Sequence, residues 1–136
     1  MPGPALFRHS VPVRYLEVDR QGVVFNMWYL AYCDDAMTAF LDAGPLPYAT
    51  MLAEGTDCQV VHTEIDWHGP LGFGDRAALD VSVIDLGRTS FTLDFAVSCD
   101  GRAVATVRTV YVCVATDGSG AHPIPPGLRS RLTGTG

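Results

Sequence analysis

The chain has 136 residues, of which 48% are hydrophobic and 18% charged, with a net charge of −6. That length fits one domain with a sizeable core, and the composition is globular rather than disordered. The acidic balance argues against nucleic acid as the main partner, since phosphate binding needs a basic surface, and the complete lack of lysine excludes Schiff-base and lysine-nucleophile chemistry.

Residues 1–6 read as a loose lead-in. Phe7, His9, Val11, Val13 and Tyr15 then alternate with Arg8, Ser10, Pro12 and Arg14, which predicts a strand with one buried face. Pro12 places that strand at an edge or a bulge. A polar loop over 15–26 follows, carrying Glu17, Asp19 and Gly22.

The segment 27–43 is predicted to be one long helix. Asn26 suits its N-cap, because a short side-chain oxygen accepts a hydrogen bond from a first-turn amide. Gly44-Pro45 stops it, with the glycine expected in the left-handed closing conformation. Asp35, Thr38 and Asp42 form a narrow polar stripe. Leu30, Met37 and Leu41 form an apolar row that Asp34 interrupts. Nearly all else is apolar, so the helix is expected to be buried on most sides. It is too short and too acidic for a membrane span. Asp34 needs a partner or a raised pKa; a structural hydrogen bond is the first expectation and a supporting catalytic role the second. Glu17 and Asp35 read as solvated or subunit-facing charges.

The stretch 45–56 is irregular, with a short helical turn near 48–53. Four strands are predicted after it, over 58–67, 76–86, 90–99 and 102–116. The first carries Val61, Ile65 and Trp67 on one side, and His62, Glu64 and Asp66 on the other. Turns fall at Gly69-Pro70 with Gly72 and Gly74, at Leu86-Gly87-Arg88, and at the hairpin pair Asp100-Gly101. The proline- and glycine-rich tail from 117 is mostly surface, with Leu128 and Leu132 placed to anchor a short helical turn. The fold class is therefore α+β: one antiparallel five-stranded sheet wrapped around one central helix, as a single domain over 1–136.

Cys33, Cys58, Cys99 and Cys113 show no C-x-x-C spacing, and the opening residues show no signal-peptide pattern. Reduced thiols in a cytoplasmic protein are expected, each cysteine acting as a small buried hydrophobe. His9, His62, His68 and His122 lack ligand spacing, so no metal is expected. No serine sits in a G-x-S-x-G elbow, which argues against an α/β-hydrolase.

The element order β-α-β-β-β-β resembles the hotdog fold. Asp19-x-x-Gly22-Val23-Val24-Phe25-Asn26-x-x-Tyr29-Leu30 resembles the signature of 4-hydroxybenzoyl-CoA thioesterase and the related acyl-CoA thioesterases. Pro70-Leu71-x-Phe73-Gly74-Asp75, Leu86-Gly87-Arg88-Thr89-Ser90 and Ile124-Pro125-x-x-Leu128-Arg129 extend the resemblance over nearly the whole chain. It implies hydrolysis of an acyl-CoA thioester to free acid and coenzyme A. Asp19 stands where the family has its catalytic carboxylate, read either as nucleophile or as general base. Asn26 stands at the first-turn position whose backbone N–H polarises the thioester carbonyl. Other branches carry histidine or tyrosine there; because the main-chain amide does this work, asparagine keeps the function. Substrate contacts are implied at Tyr15, Gly22, Val24, Phe25, Tyr29 and Arg88, and no cofactor beyond the coenzyme A of the substrate. The resemblance also implies a homodimer joined edge to edge, or a homotetramer, with active sites at the subunit interface.

The chemistry agrees with that implication. A thioester hydrolase must hold oxyanion charge and supply a nucleophile. Unpaired amides at a helix start serve the first need, and a nearby carboxylate serves the second. A lone loop aspartate that merely hydrogen-bonds its own backbone is the plain alternative for Asp19. For Tyr15 it is a packed strand-end tyrosine. Arg88, Arg129 and Arg131 read first as ordinary surface arginines, with contact to coenzyme A phosphates as the second reading. Two other functions stay open: a thioesterase acting on acyl carrier protein, and a non-catalytic acyl-CoA-binding protein. A dehydratase on the same fold would usually need a histidine at the site, and none lies between Asp19 and Tyr29.

Overall fold

A computed structural model describes residues 4–134, so the ends of the lead-in and of the tail lie outside the described residues. The alternating residues Phe7–Pro12 form β1, and Thr56–Trp67, Arg76–Leu86, Ser90–Cys99 and Arg102–Ala115 form β2 to β5. The sheet runs β1-β3-β4-β5-β2, with every neighbouring pair antiparallel. Pro12 is accommodated as expected, because β1 is an edge strand bonded to β3 alone. Asp100 and Gly101 both take left-handed φ, +50° and +79°, and close the β4–β5 hairpin with two residues.

The helix α1 spans Trp28–Asp42 and lies across the concave face of the sheet. Tyr29, Tyr32, Cys33, Ala36, Met37, Phe40 and Leu41 are buried, so one face is covered rather than most sides. Leu30 is 44% exposed, and the polar stripe of Asp35, Thr38 and Asp42 faces solvent. A curled five-stranded sheet in a single chain reaches only one side of its helix, which corrects the expectation of burial on most sides. The first strand also stops at Pro12 instead of continuing to Tyr15. The backbone turns into a single 3-10 turn over Tyr15–Glu17, and Tyr15 is left 76% exposed.

Both predicted ends of α1 need correction. Asn26 does not cap: Met27 stands at the N-cap with helical φ, and no side chain bonds the first turn. Gly44 does not take the left-handed conformation. Its lack of a Cβ matters for another reason. A Cβ there would sit 2.6 Å from Cδ of Arg131, whose Nε donates to the Phe40 carbonyl at 2.7 Å. Glycine thus leaves the lane by which Arg131 crosses the end of α1.

The short helix α2, Tyr48–Ala53, lies where the turn was predicted. In β2 a bulge between Val60 and His62 breaks the alternation and leaves Val61 57% exposed. The tail ends in helix α3, Pro126–Thr133, anchored by buried Leu128 and Leu132.

Candidate active site

Residues 18–24 fold back on themselves as a tight loop. Val18 and Val24 form an antiparallel bridge, the Asp19 amide donates to the Val23 carbonyl at 2.9 Å, and the Gly22 amide donates to the Asp19 carbonyl at 2.9 Å. Gly22 takes φ +79°, a conformation that costs glycine least. Oδ1 of Asp19 accepts the Gln21 amide at 2.8 Å, an Asx turn that fixes the carboxylate. The loop is sewn to the body of the fold where the Val24 amide donates to the Leu71 carbonyl at 2.8 Å.

Glu17 holds the base of this loop. Its side chain is 2% exposed, which corrects the reading of a solvated or subunit-facing charge. Oε1 accepts the Arg14 amide at 2.9 Å and the Tyr32 hydroxyl at 2.7 Å, while Oε2 accepts Nε of Arg14 at 2.9 Å. Its carbonyl accepts the Phe25 amide at 2.9 Å. Burial pushes the Glu17 carboxyl up, but the hydrogen bonds from Arg14 and Tyr32 and the Arg14 charge together hold it below the usual range. Arg14 is the partner that sequence reading missed; the spacing of three residues was its only trace.

The loop and the helix start meet at one cavity of about 260 Å³. Asp19 and Asn26 both line it, with Val24, Phe25, Tyr29 and Trp67. Among the described residues the amides of Asn26 and Met27 have no hydrogen-bond partner, because α1 closes its first turn with later donors. A carboxylate and the residue that carries the first free amide, Asn26, therefore share one wall. Tyr29 is 3% exposed, and the Trp67 ring stands edge-on to it with centroids 4.8 Å apart. Burial raises the Tyr29 phenol against a Leu71 backbone hydrogen bond and the charge of Arg102. Trp67 was not singled out as a site residue. An aromatic at a strand end beside Gly69-Pro70 was the available signal.

On the other side of the loop lies a wider hollow of about 710 Å³, lined by Tyr15, Leu16, Asp19, Gly22 and Phe73. Asp19 borders both spaces. Tyr15 and Phe73 stand edge-on at 5.7 Å and remain exposed.

The arginines divide differently from expectation. Arg88 sits in the β3–β4 turn, at the end of β3 away from the Asp19 loop, and lines neither space. Arg129 donates to the Gly87 carbonyl at 2.7 Å. Arg131 is engaged with Phe40, its guanidinium 4.3 Å from the ring centroid. Both are thus tied to backbone carbonyls of the fold. Asp34 has no hydrogen-bond partner among the described residues, contrary to the first expectation. Burial, then the charge of Asp35, raises its carboxyl instead. Among the described residues no three His, Cys, Asp or Glu side chains gather as metal ligands, and no helix is long and apolar enough to cross a membrane.

Comparison with known proteins fits this geometry. The family model described as the Thioesterase-like superfamily matches residues 13–132. A 1,4-dihydroxy-2-naphthoyl-CoA hydrolase from Synechococcus elongatus is 28% identical over 122 residues, covering 88% of this chain and 90% of its own length. The crystal structure of a hypothetical protein from Aquifex aeolicus gives a TM-score of 0.88 at 25% identity, covering 93% of this chain and 98% of its own. A 1,4-dihydroxy-2-naphthoyl-CoA thioesterase from Synechocystis gives 0.85 at 22% identity, over 93% and 95% of the two chains, a likeness of fold. The sheet curled over one helix is the hotdog fold that the sequence resembled.

Proposed function

Since the chain belongs to the Thioesterase-like superfamily, we propose that it hydrolyses an acyl-CoA thioester to the free acid and coenzyme A. The observation that carries this reading is the convergence of Asp19 and the unpaired Asn26 amide on one cavity. In the proposed reaction the carbonyl oxygen points at the amide of Asn26, which holds the charge that develops there. Asp19 either takes a proton from a water that attacks the carbonyl carbon, or attacks that carbon itself to give a mixed anhydride that water afterwards cleaves to the free acid. The carbon–sulfur bond then breaks, and the thiolate of coenzyme A leaves. No cofactor beyond the substrate's own coenzyme A takes part.

An aromatic acyl group is the substrate class we favour. Tyr29 and Trp67 supply aromatic walls beside Asp19, and the relative from Synechococcus elongatus carries the name of an aryl-CoA hydrolase. The assembly we propose is a homodimer joined through β2, working in the cytoplasm. That strand bonds β5 alone, and it exposes Val60, Val61 and Trp67 along an unpaired edge beside Leu30 of α1.

The test is a panel of aromatic and straight-chain acyl-CoAs followed by free thiol release, with Asp19→Asn alongside. Asparagine retains a side-chain oxygen for the Gln21 amide, so the loop is kept while the base is lost. A fall of about 10²–10⁴ in turnover is expected. Equal rates for wild type and variant would refute the role of Asp19. Saturable binding with no thiol release would instead reveal a non-catalytic acyl-CoA-binding protein.

A further inference from the structure

Cys58 and Cys113 stand directly opposite one another on β2 and β5. The Cys113 amide donates to the Thr89 carbonyl at 2.8 Å, and its carbonyl accepts the His122 amide at 2.8 Å. Both of its main-chain groups thus point away from β2. In an antiparallel ladder this makes Cys58 and Cys113 a non-hydrogen-bonded pair, the closer of the two kinds, with α-carbons about 4.5 Å apart. Disulfides bridge α-carbons about 4.4–6.8 Å apart, and directly opposed side chains leave the same face of the sheet.

Access is uneven. Cys113 is fully buried, whereas Cys58 is half-buried and lines an open cavity of about 350 Å³ between α1 and β2, with Asp34, Tyr48 and Tyr111. A small polar oxidant entering that cavity meets Cys58 first. The other two cysteines are buried, and neither faces a cysteine in the strand register.

We propose that Cys58 and Cys113 form a modification site at which a peroxide drives a reversible intrachain disulfide, tying the edge strand β2 to β5. In the first step the Cys58 sulfur attacks one oxygen of hydrogen peroxide, the O–O bond breaks, and the departing hydroxide leaves as water with the Cys58 proton. This gives a sulfenic acid. In the second step the Cys113 sulfur attacks the Cys58 sulfur, the S–O bond breaks, and the hydroxyl leaves as water with the Cys113 proton. Two thiols are oxidised and one peroxide is reduced to two waters. Of this coupled pair the Cys58 thiol is pushed up, by its neighbour Cys113 and by burial, while the Cys113 thiol is drawn down against burial with help from the Arg129 charge, so Cys113 is the readier thiol for the second attack.

The experiment is to treat the full chain with hydrogen peroxide, then measure intact mass and map peptides without reduction. The expected product is lighter by two hydrogens, yields one cross-linked peptide pair holding residues 58 and 113, and regains its mass with dithiothreitol. Cys58→Ser should abolish the mass loss, while Cys99→Ser should leave it intact. A link between other cysteines or between two chains would overturn the proposal. So would Cys58 accumulating as sulfinic acid with Cys113 still reduced.

Discussion

The Tyr32 hydroxyl donates to Oε1 of Glu17 at 2.7 Å, so the central helix grips the loop that carries Asp19. Tyr32→Phe removes a donor from a buried charge and should cost about 1.5–3 kcal/mol in urea unfolding. Within the hydrolytic reading it should also lower turnover, because the loop loses its tie to the helix that supplies the amides.

The same carboxylate gives the fold an acid limit. Its folded pKa lies below its unfolded one, so its stabilisation is complete above the unfolded glutamate range, about 4.3, and is lost as pH falls through the folded value. Glu17→Gln should therefore be less stable than wild type at neutral pH, and its unfolding free energy should fall less steeply below pH of about 4. Urea titrations at a series of pH values measure both slopes. Parallel slopes would show that Glu17 contributes nothing to the acid response.

At position 26 the proposed donor is the backbone. Asn26→Ala keeps that amide and should hold kcat/KM within about threefold. Asn26→Pro deletes it and should cost about 10²–10³ in kcat, the usual loss for one oxyanion donor. Circular dichroism of both variants checks the fold. A large loss in the alanine variant would move the function to the side chain.

Arg131 and Gly44 should behave as a coupled pair. Arg131→Ala loses the Phe40 carbonyl bond and the ring contact, and should cost about 1–3 kcal/mol. Gly44→Ala pushes a methyl onto the same side chain and should be destabilising in wild type but near neutral once Arg131 is alanine. Thermal melts of the four proteins complete the cycle. Coenzyme A affinity should not change in any of them.

The proposed dimer makes its own demand on β2. Val61→Lys places a charge on the bulge of the exposed edge and should shift light-scattering mass from dimer to monomer. Turnover should fall with it if the partner helps to close the site. A wild-type protein that is monomeric at micromolar concentration would refute the β2 joint.

Much of this architecture is readable from residue order, because each strand alternates and each turn carries its own chemistry. Asp100-Gly101 and Gly87 mark their turns so strongly that β3 and β4 fall where the pattern puts them. The Asp19 loop is legible as well, and it does meet Asn26 at one cavity. What escaped is long-range pairing. Locally only the three-residue spacing to Arg14 distinguishes Glu17 from a solvated acid, and its other partner Tyr32 lies fifteen residues away. Arg131 reads as a surface charge until Gly44, far back in the chain, is seen to make way for it. Helix burial was overread for a related reason: composition counts apolar faces but does not say whether the same chain covers them.

The guanidinium of Arg131 lies 5.5 Å from the Phe7 ring as well as against Phe40, so one side chain near the end of α3 closes over the first strand. During synthesis that seal is missing until residue 131 has left the ribosome. The nascent sheet must wait with its first strand only partly secured. Such a chain depends on distant contacts to finish folding, and its first strand is secured only once residues from opposite ends of the fold have met.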